Sequence, residues 1–274
     1  MSDILTIRSL TKGFSRKIRN LSGEDENEQY WIIKDLTLNV AKGKIIAIIG
    51  GNGVGKTTLF NIISGFLKAD SGTVLFHPDG ESHNLTAMPP HKIAGLGIGR
   101  MFQDNHIFPE MSVLDNMLVA DASHAGEKPF FNLLRGRKVK KEEEQRIQKA
   151  KAVINGIFQN DTSFAEIFDL YAGNLSYGQQ RLLGLARLFM RDYSLLLLDE
   201  PTAGVNPEVI KQIKILIRKF AEKRETVLLI EHNLEVVEDI ADFCCYMAQG
   251  RITLMGTPED VINNEEVRRS YIGL

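Results

Sequence analysis

Residues 50–58 read Gly-Gly-Asn-Gly-Val-Gly-Lys-Thr-Thr. Gly50, Gly55, Lys56 and Thr57 stand at the spacing G-x-x-x-x-G-K-T of a phosphate-binding loop. Each part has a chemical reason. Gly50, Gly51, Gly53 and Gly55, with Asn52 and Val54 among them, give a backbone that curls around phosphate oxygens with few Cβ atoms in the way. Lys56 is placed to reach the β- and γ-phosphates of a nucleotide, and the Thr57 hydroxyl to take Mg2+. Thr58 closes the motif.

Four leucines at 195–198 run into Asp199 and Glu200. Asp199 suits the Mg2+ shell through a water, and Glu200 is placed to orient and deprotonate an attacking water. A second apolar run ends at Glu231 and His232, where the imidazole can donate to a γ-phosphate. Gln103 follows Met101 and Phe102, and its neutral amide can touch Mg2+ or the water. Leu175-Ser176-Tyr177-Gly178-Gln179-Gln180 opens a helix. Ser176 is a natural N-cap, Gly178 permits close backbone approach, and a helix N-terminus is a second anion site. One chain does not readily bring both anion sites to one nucleotide.

These residues need elements to hold them. The stretches 44–49, 194–198 and 226–230, apolar without interruption after Lys44, Ser194 and Thr226, predict strands buried on both faces. Phe243 to Ala248 predicts another, and 59–66 and 207–221 have helical apolar spacing. Strands alternating with helices predict a mostly parallel α/β sheet whose ligand residues lie beyond the strands' carboxyl ends. The phosphate loop, Asp199, Glu200 and His232 all fall at such ends. Leu36, Leu38 and Val40 alternate with polar residues, as in a half-buried strand, and 4–10 alternates loosely. Residues 12–29 are polar and predict a solvated loop. From 104 to 175 helical signals dominate; Ile147, Ala150, Ile154 and Ile157 share a face opposite a charged run.

The chain has 274 residues and a formal net charge of -2, so no global basic field points to nucleic acid. The adjacent Cys244 and Cys245 lie in an apolar run and predict small core residues. No apolar run approaches the ~18 residues of a membrane span, and the N-terminal residues lack a signal peptide's pattern. The expectation is an intracellular protein whose membrane link needs a partner.

The motifs, taken in order, resemble the nucleotide-binding subunit of ABC transporters. They are 50–57 (Walker A), Gln103 (Q-loop), 175–179 (signature), 195–200 (Walker B with the catalytic Glu), Ala203-Gly204-Val205-Asn206 (D-loop) and His232 (switch His). The resemblance covers essentially the whole chain. Gly99-Arg100-Met101-Phe102-Gln103, Ala203-Gly204-Val205-Asn206-Pro207 and Ile230-Glu231-His232-Asn233 are similar to the branched-chain amino-acid and urea/amide importer group, with lipopolysaccharide-export ATPases as near relatives. The chain departs in two motif positions: Gly51 stands where the family usually has Pro, and Tyr177 where it most often has Gly.

The resemblance implies an α/β P-loop NTPase (RecA-like) core with an N-terminal antiparallel β region, over 1–103 and 190–274, and an inserted helical lobe over 104–189. It implies ATP and Mg2+ as ligands, with Lys56, Gln103, Glu200 and His232 in catalysis and Thr57, Gln103 and Asp199 around the metal. Ser176, Gly178 and Gln179 would act on a second subunit's ATP in a head-to-tail dimer, identical or paralogous. Phe14 matches the aromatic residue that stacks on adenine, but the polar segment follows it directly, so Tyr30 and Trp31 stay open for that role. Implied partners are transmembrane permease subunits and, indirectly, a solute-binding protein, with the chain peripheral on the cytoplasmic face of the membrane. A non-transport ABC ATPase and a P-loop kinase are the competing classes.

Overall fold

The structure, a computed structural model, describes residues 2–19, 25–104, 106–121, 136–157, 167–223 and 225–272. It divides into two compact units. The first comprises Met1–Arg100, Tyr193–Pro201 and Ile217–Leu274; the second comprises Met101–Asp192 and Thr202–Leu216.

The first unit holds two sheets. One is antiparallel, built from β1 (Asp3–Arg19), β2 (Asp25–Ala41), β4 (Ser71–Phe76) and β5 (His83–Asn84) in the order β2-β1-β4-β5. Leu36, Leu38 and Val40 of β2 are buried while Thr37 and Asn39 face solvent, the two-residue period of a half-buried strand. The other sheet has the order β10-β9-β3-β8-β7-β6. Its members are β3 (Ile45–Ile49), β6 (Ile98–Met101), β7 (Leu195–Asp199), β8 (Thr226–Ile230), β9 (Phe243–Ala248) and β10 (Arg251–Gly256). β3 runs parallel to both β8 and β9, and β7 runs parallel to β8. Every residue of β3, β7 and β8 is buried, which explains the apolar runs at 45–49, 195–198 and 227–230 within them. Cys244 and Cys245 point to opposite faces of β9, each into its own core cluster. Burial pushes both thiols up to about 12, so they are inert packing residues.

Residues 12–29 correct the expectation of a loop. Their described part is a hairpin, paired in register out to Arg19 opposite Asp25. β4 stops pairing with β1 at Thr11 opposite Ser71, so beyond that point the hairpin is a two-stranded ribbon. Arg16 lies directly across from Glu28, an opposite-charge pair of the kind that supports a ribbon with no core. Asp70 pins the ribbon's base. Its carboxylate accepts from the Gly13 backbone N–H at 2.7 Å and from Lys12 Nζ at 2.6 Å. The Gly13 bond first, then Lys12, hold the Asp70 carboxyl below the ordinary carboxylate value.

The helices of the first unit include α1 (Lys56–Ile63) and α2 (Pro90–Gly95). In the second unit lie α3 (Val113–Ala120), α4 (Gly136–Ile157) and α5 (Tyr177–Leu188). Ala150 and Ile154 of α4 are buried, as the helical spacing predicts. Arg146 of α4 clamps α3, with Nε donating to Asp121 Oδ2 at 3.1 Å and Nη2 to the Leu118 carbonyl at 2.9 Å. The next helix, α6 (Pro207–Glu222), carries buried Ile213, Leu216, Ile217 and Phe220 on one stripe. Then come α7 (Leu234–Ile240), α8 (Pro258–Ile262) and α9 (Glu265–Ile272). Among the described residues no helix is long and apolar enough to cross a membrane.

Candidate active site

β3 delivers the chain into the phosphate loop and α1 leaves it, so the free N–H groups of the first helical turn face the loop. The loop runs tight against β9. A Cβ on Gly50 would lie 2.2 Å from the Met247 carbonyl oxygen, so only glycine fits there. Lys56 is 6% exposed. Its ammonium folds back over its own loop, donating to the carbonyls of Gly50 at 2.8 Å and Gly51 at 2.9 Å. An ammonium has three donors, so these bonds leave one for a phosphate oxygen. Burial lowers the Lys56 pKa from its ordinary value, against the opposing pull of Glu200 and Asp199.

β7 and β8 lie side by side next to β3, and their carboxyl ends bring the remaining groups together. Asp199 is the last residue of β7 and is 1% exposed. Burial raises its pKa, while Arg100, Lys56 and the Thr57 hydroxyl counter the shift and Glu200 adds to it. Glu200 continues the ladder by one bond, its N–H donating to the Ile230 carbonyl at 2.9 Å. Its φ is 48°, a left-handed conformation that costs a non-glycine residue about 1–3 kcal/mol and concentrates at functional sites. His232 Nε2 stands 3.0 Å from Glu200 Oε1.

The turn after β8 aims that histidine. Glu231 is 2% exposed. Its Oε2 accepts from the backbone N–H groups of His232 at 3.0 Å and Asn233 at 3.3 Å. Asn233 then caps α7, its Oδ1 accepting from Glu235 at 3.1 Å and Val236 at 3.3 Å. Sequence reasoning left Glu231 without a role. The available signal was a carboxylate directly before His-Asn at the end of an apolar strand. Arg100 was missed as well: its Nη2 lies 3.6 Å from Asp199 Oδ2.

The donors fit a Mg2+ ion. Both Asp199 oxygens are sealed from solvent without a hydrogen bond of standard length, and the Thr57 hydroxyl acts on the same carboxylate. A carboxylate and a hydroxyl are hard oxygen donors, and Mg2+ takes few protein ligands, completing its shell with waters and substrate phosphates.

The other expected site residues fall elsewhere. Gln103, Ser176, Gly178 and Gln179 belong to the second unit. The Gln103 backbone carbonyl accepts from Arg181, a fully buried residue of α5. Ser176 caps α5 in a capping box: its Oγ accepts from the Gln179 N–H at 3.3 Å, and Gln179 Oε1 accepts from the Ser176 N–H at 2.9 Å. A Cβ on Gly178 would meet Val209 Cγ2 at 2.9 Å, so α5 and α6 approach closely there. Phe14 of β1 lies opposite Tyr30 of β2 with ring centroids 6.1 Å apart and planes 30° apart. Trp31 lies across from Gly13 and covers it.

Comparison with known proteins finds relatives over most of the chain. The ABC transporter family profile matches residues 33–203. The chain is 38% identical over 241 residues to the probable branched-chain amino acid transport ATP-binding protein LivG of Archaeoglobus fulgidus, covering 87% of this chain and 88% of that one. It is 37% identical over 242 residues to the high-affinity branched-chain amino acid transport ATP-binding protein BraF of Pseudomonas aeruginosa, covering 88% and 91%. Among solved structures it superposes on the ADP conformation of an ATP-binding cassette from an ABC transporter, with a TM-score of 0.77, 31% identity and full coverage of both chains.

Proposed function

This chain belongs to the ABC transporter family, and from that premise we propose that it is the ATP-hydrolysing subunit of an importer for branched-chain amino acids. The observation that carries the chemistry is the meeting of three neighbouring strand ends: Lys56 after β3, Asp199 and Glu200 at β7, and His232 after β8. The substrate class rests on the names of the relatives, LivG and BraF.

In this reading the loop amides and Lys56 bind the phosphates of ATP. Thr57 and Asp199 hold Mg2+, which when bound draws off charge from the phosphate oxygens. Glu200 accepts a proton from the attacking water. His232, whose Nε2 stands 3.0 Å from Glu200, keeps the carboxylate aimed, and turns that same N–H to the γ-phosphate once ATP is bound. Phe14, stacked with Tyr30, offers the adenine face.

Ser176, Gly178 and Gln179 serve a second subunit's ATP in a head-to-tail dimer. The support is chemical: α5 is a 12-residue helix with an N-terminus suited to an anion, separate from the phosphate loop. A two-fold partner gives each such terminus a phosphate. The chain then sits on the cytoplasmic face of the membrane, against permease subunits that an external solute-binding protein loads.

The test is affinity capture of the tagged chain from native membranes, with its partners identified by mass spectrometry. Integral membrane subunits and an ATP-binding subunit are expected. Recovery with ribosomes or soluble enzymes alone contradicts the proposal.

A further inference from the structure

Arg100 has no part in the mechanism above, yet it is built into the site. It lies on β6, next to β7. A Cβ on neighbouring Gly99 would meet Leu196 Cδ2 at 2.7 Å and the Tyr193 ring at 2.9 Å, so β6 presses against the chain leading to Asp199. The Arg100 and Asp199 side chains are 6% and 1% exposed, with Nη2 and Oδ2 3.6 Å apart. Nη1 donates to Ser64 Oγ at 2.6 Å, and Ser64 is the C-cap residue of α1. The guanidinium carbon lies 5.9 Å from the Phe60 ring centroid and 5.8 Å from that of Phe66. Arg100 is therefore held from the α1 side, and its charge stays in place whichever way Asp199 turns.

We propose that Arg100 is the resident counter-charge of Asp199 in the nucleotide-free enzyme, a positioning residue that makes divalent cation enter only together with nucleotide. A carboxylate sealed from solvent needs a cation nearby. The charges that act on Asp199 are those of Arg100 and Lys56, which favour its ionised form, and of Glu200, which opposes it. A bare dication meets two fixed positive charges, and the phosphates of a nucleotide reverse that balance. Without Arg100 the site is one charge more negative beside Asp199 and attracts the dication alone more strongly. The inference rests on the reading of Asp199 as a Mg2+-holding residue.

The test uses the nucleotide-free full chain with Mn2+ as the paramagnetic probe, and urea unfolding in chelator. Arg100→Met should bind Mn2+ about tenfold or more tighter than wild type, and should unfold at lower urea. Adding Asp199→Asn to Arg100→Met should bring the unfolding midpoint back towards wild type, because the stranded charge is gone. Arg100→Lys, which keeps the charge, should bind Mn2+ as weakly as wild type. Unchanged Mn2+ affinity in Arg100→Met, or additive destabilisation in the double variant, overturns the inference. If Arg100→Met yields no folded protein, the double variant decides: it must fold, and its failure to do so overturns the inference. Asp199→Asn alone checks the underlying reading. It should abolish the Mg2+ dependence of ADP binding; if that dependence survives, Asp199 is not the metal residue, whereas the charge pairing is still read in chelator.

Discussion

Replacing Gly50 with Ala puts a methyl carbon 2.2 Å from the Met247 carbonyl oxygen and 3.2 Å from its carbon. Cβ contacts in real proteins stay beyond 3.0 Å, so the backbone must move by nearly an ångström. Met247 cannot yield alone, because β9 is paired to β3 on one side and β10 on the other. The overpacking and the φ of 152° together cost about 2–4 kcal/mol. A displacement of that size also misaligns the loop amides, and nucleotide affinity should fall by ten- to about a hundredfold. Two glycines in the same loop are internal controls. A Cβ on Gly51 meets only Val54 Cγ1 at 3.8 Å, an ordinary contact, so Gly51→Ala should stay within about 0.5 kcal/mol of wild type. Gly53 has open space around its Cβ but a φ of 74°, so Gly53→Ala should cost about 1 kcal/mol. Urea unfolding followed by Trp31, the single tryptophan, gives the stabilities; titration with a fluorescent nucleotide gives the affinities. The expected order of damage is Gly51, Gly53, Gly50. A Gly50→Ala protein as stable and as tight-binding as Gly51→Ala would refute the steric reasoning.

Two other perturbations probe the supports of the site. Glu231→Ala leaves the N–H groups of His232 and Asn233 without their carboxylate, costing about 1–3 kcal/mol of stability; hydrolysis should fall with little change in ATP affinity, and full activity would mean that the turn does not aim His232. Asp70→Asn should loosen the ribbon's base: the folded-state pKa of Asp70 is depressed, so its stabilisation is present above the ordinary carboxylate value and lost as pH falls through the folded one. The gap between wild type and Asp70→Asn should therefore be open at neutral pH and closed in strong acid; a gap that persists there counts against an ionic role.

The site's centre was legible because its parts are local. A phosphate loop is contiguous, and strands buried on both faces announce themselves as apolar runs ending in Asp199 and His232. The ribbon was not legible, because a two-stranded hairpin wet on both faces has no apolar alternation, and 12–29 read as a loop. Arg100 was hidden for another reason. Its role depends on β6, β7 and α1 meeting, with Ser64 and Asp199 far away in sequence. Glu231 looked like a strand terminus, and only its burial beneath the N–H groups of the turn reveals its work.

The central claim is that Glu200, poised 3.0 Å from His232 at the end of β7, deprotonates the water that attacks ATP. Single-turnover hydrolysis of radiolabelled MgATP by Glu200→Gln, at enzyme concentrations that saturate binding, tests it most directly. The account predicts wild-type-like ATP affinity with hydrolysis slowed by about 10²–10⁴-fold, the usual loss for a general base. Hydrolysis within a few fold of wild type would contradict it and move the base elsewhere in the site.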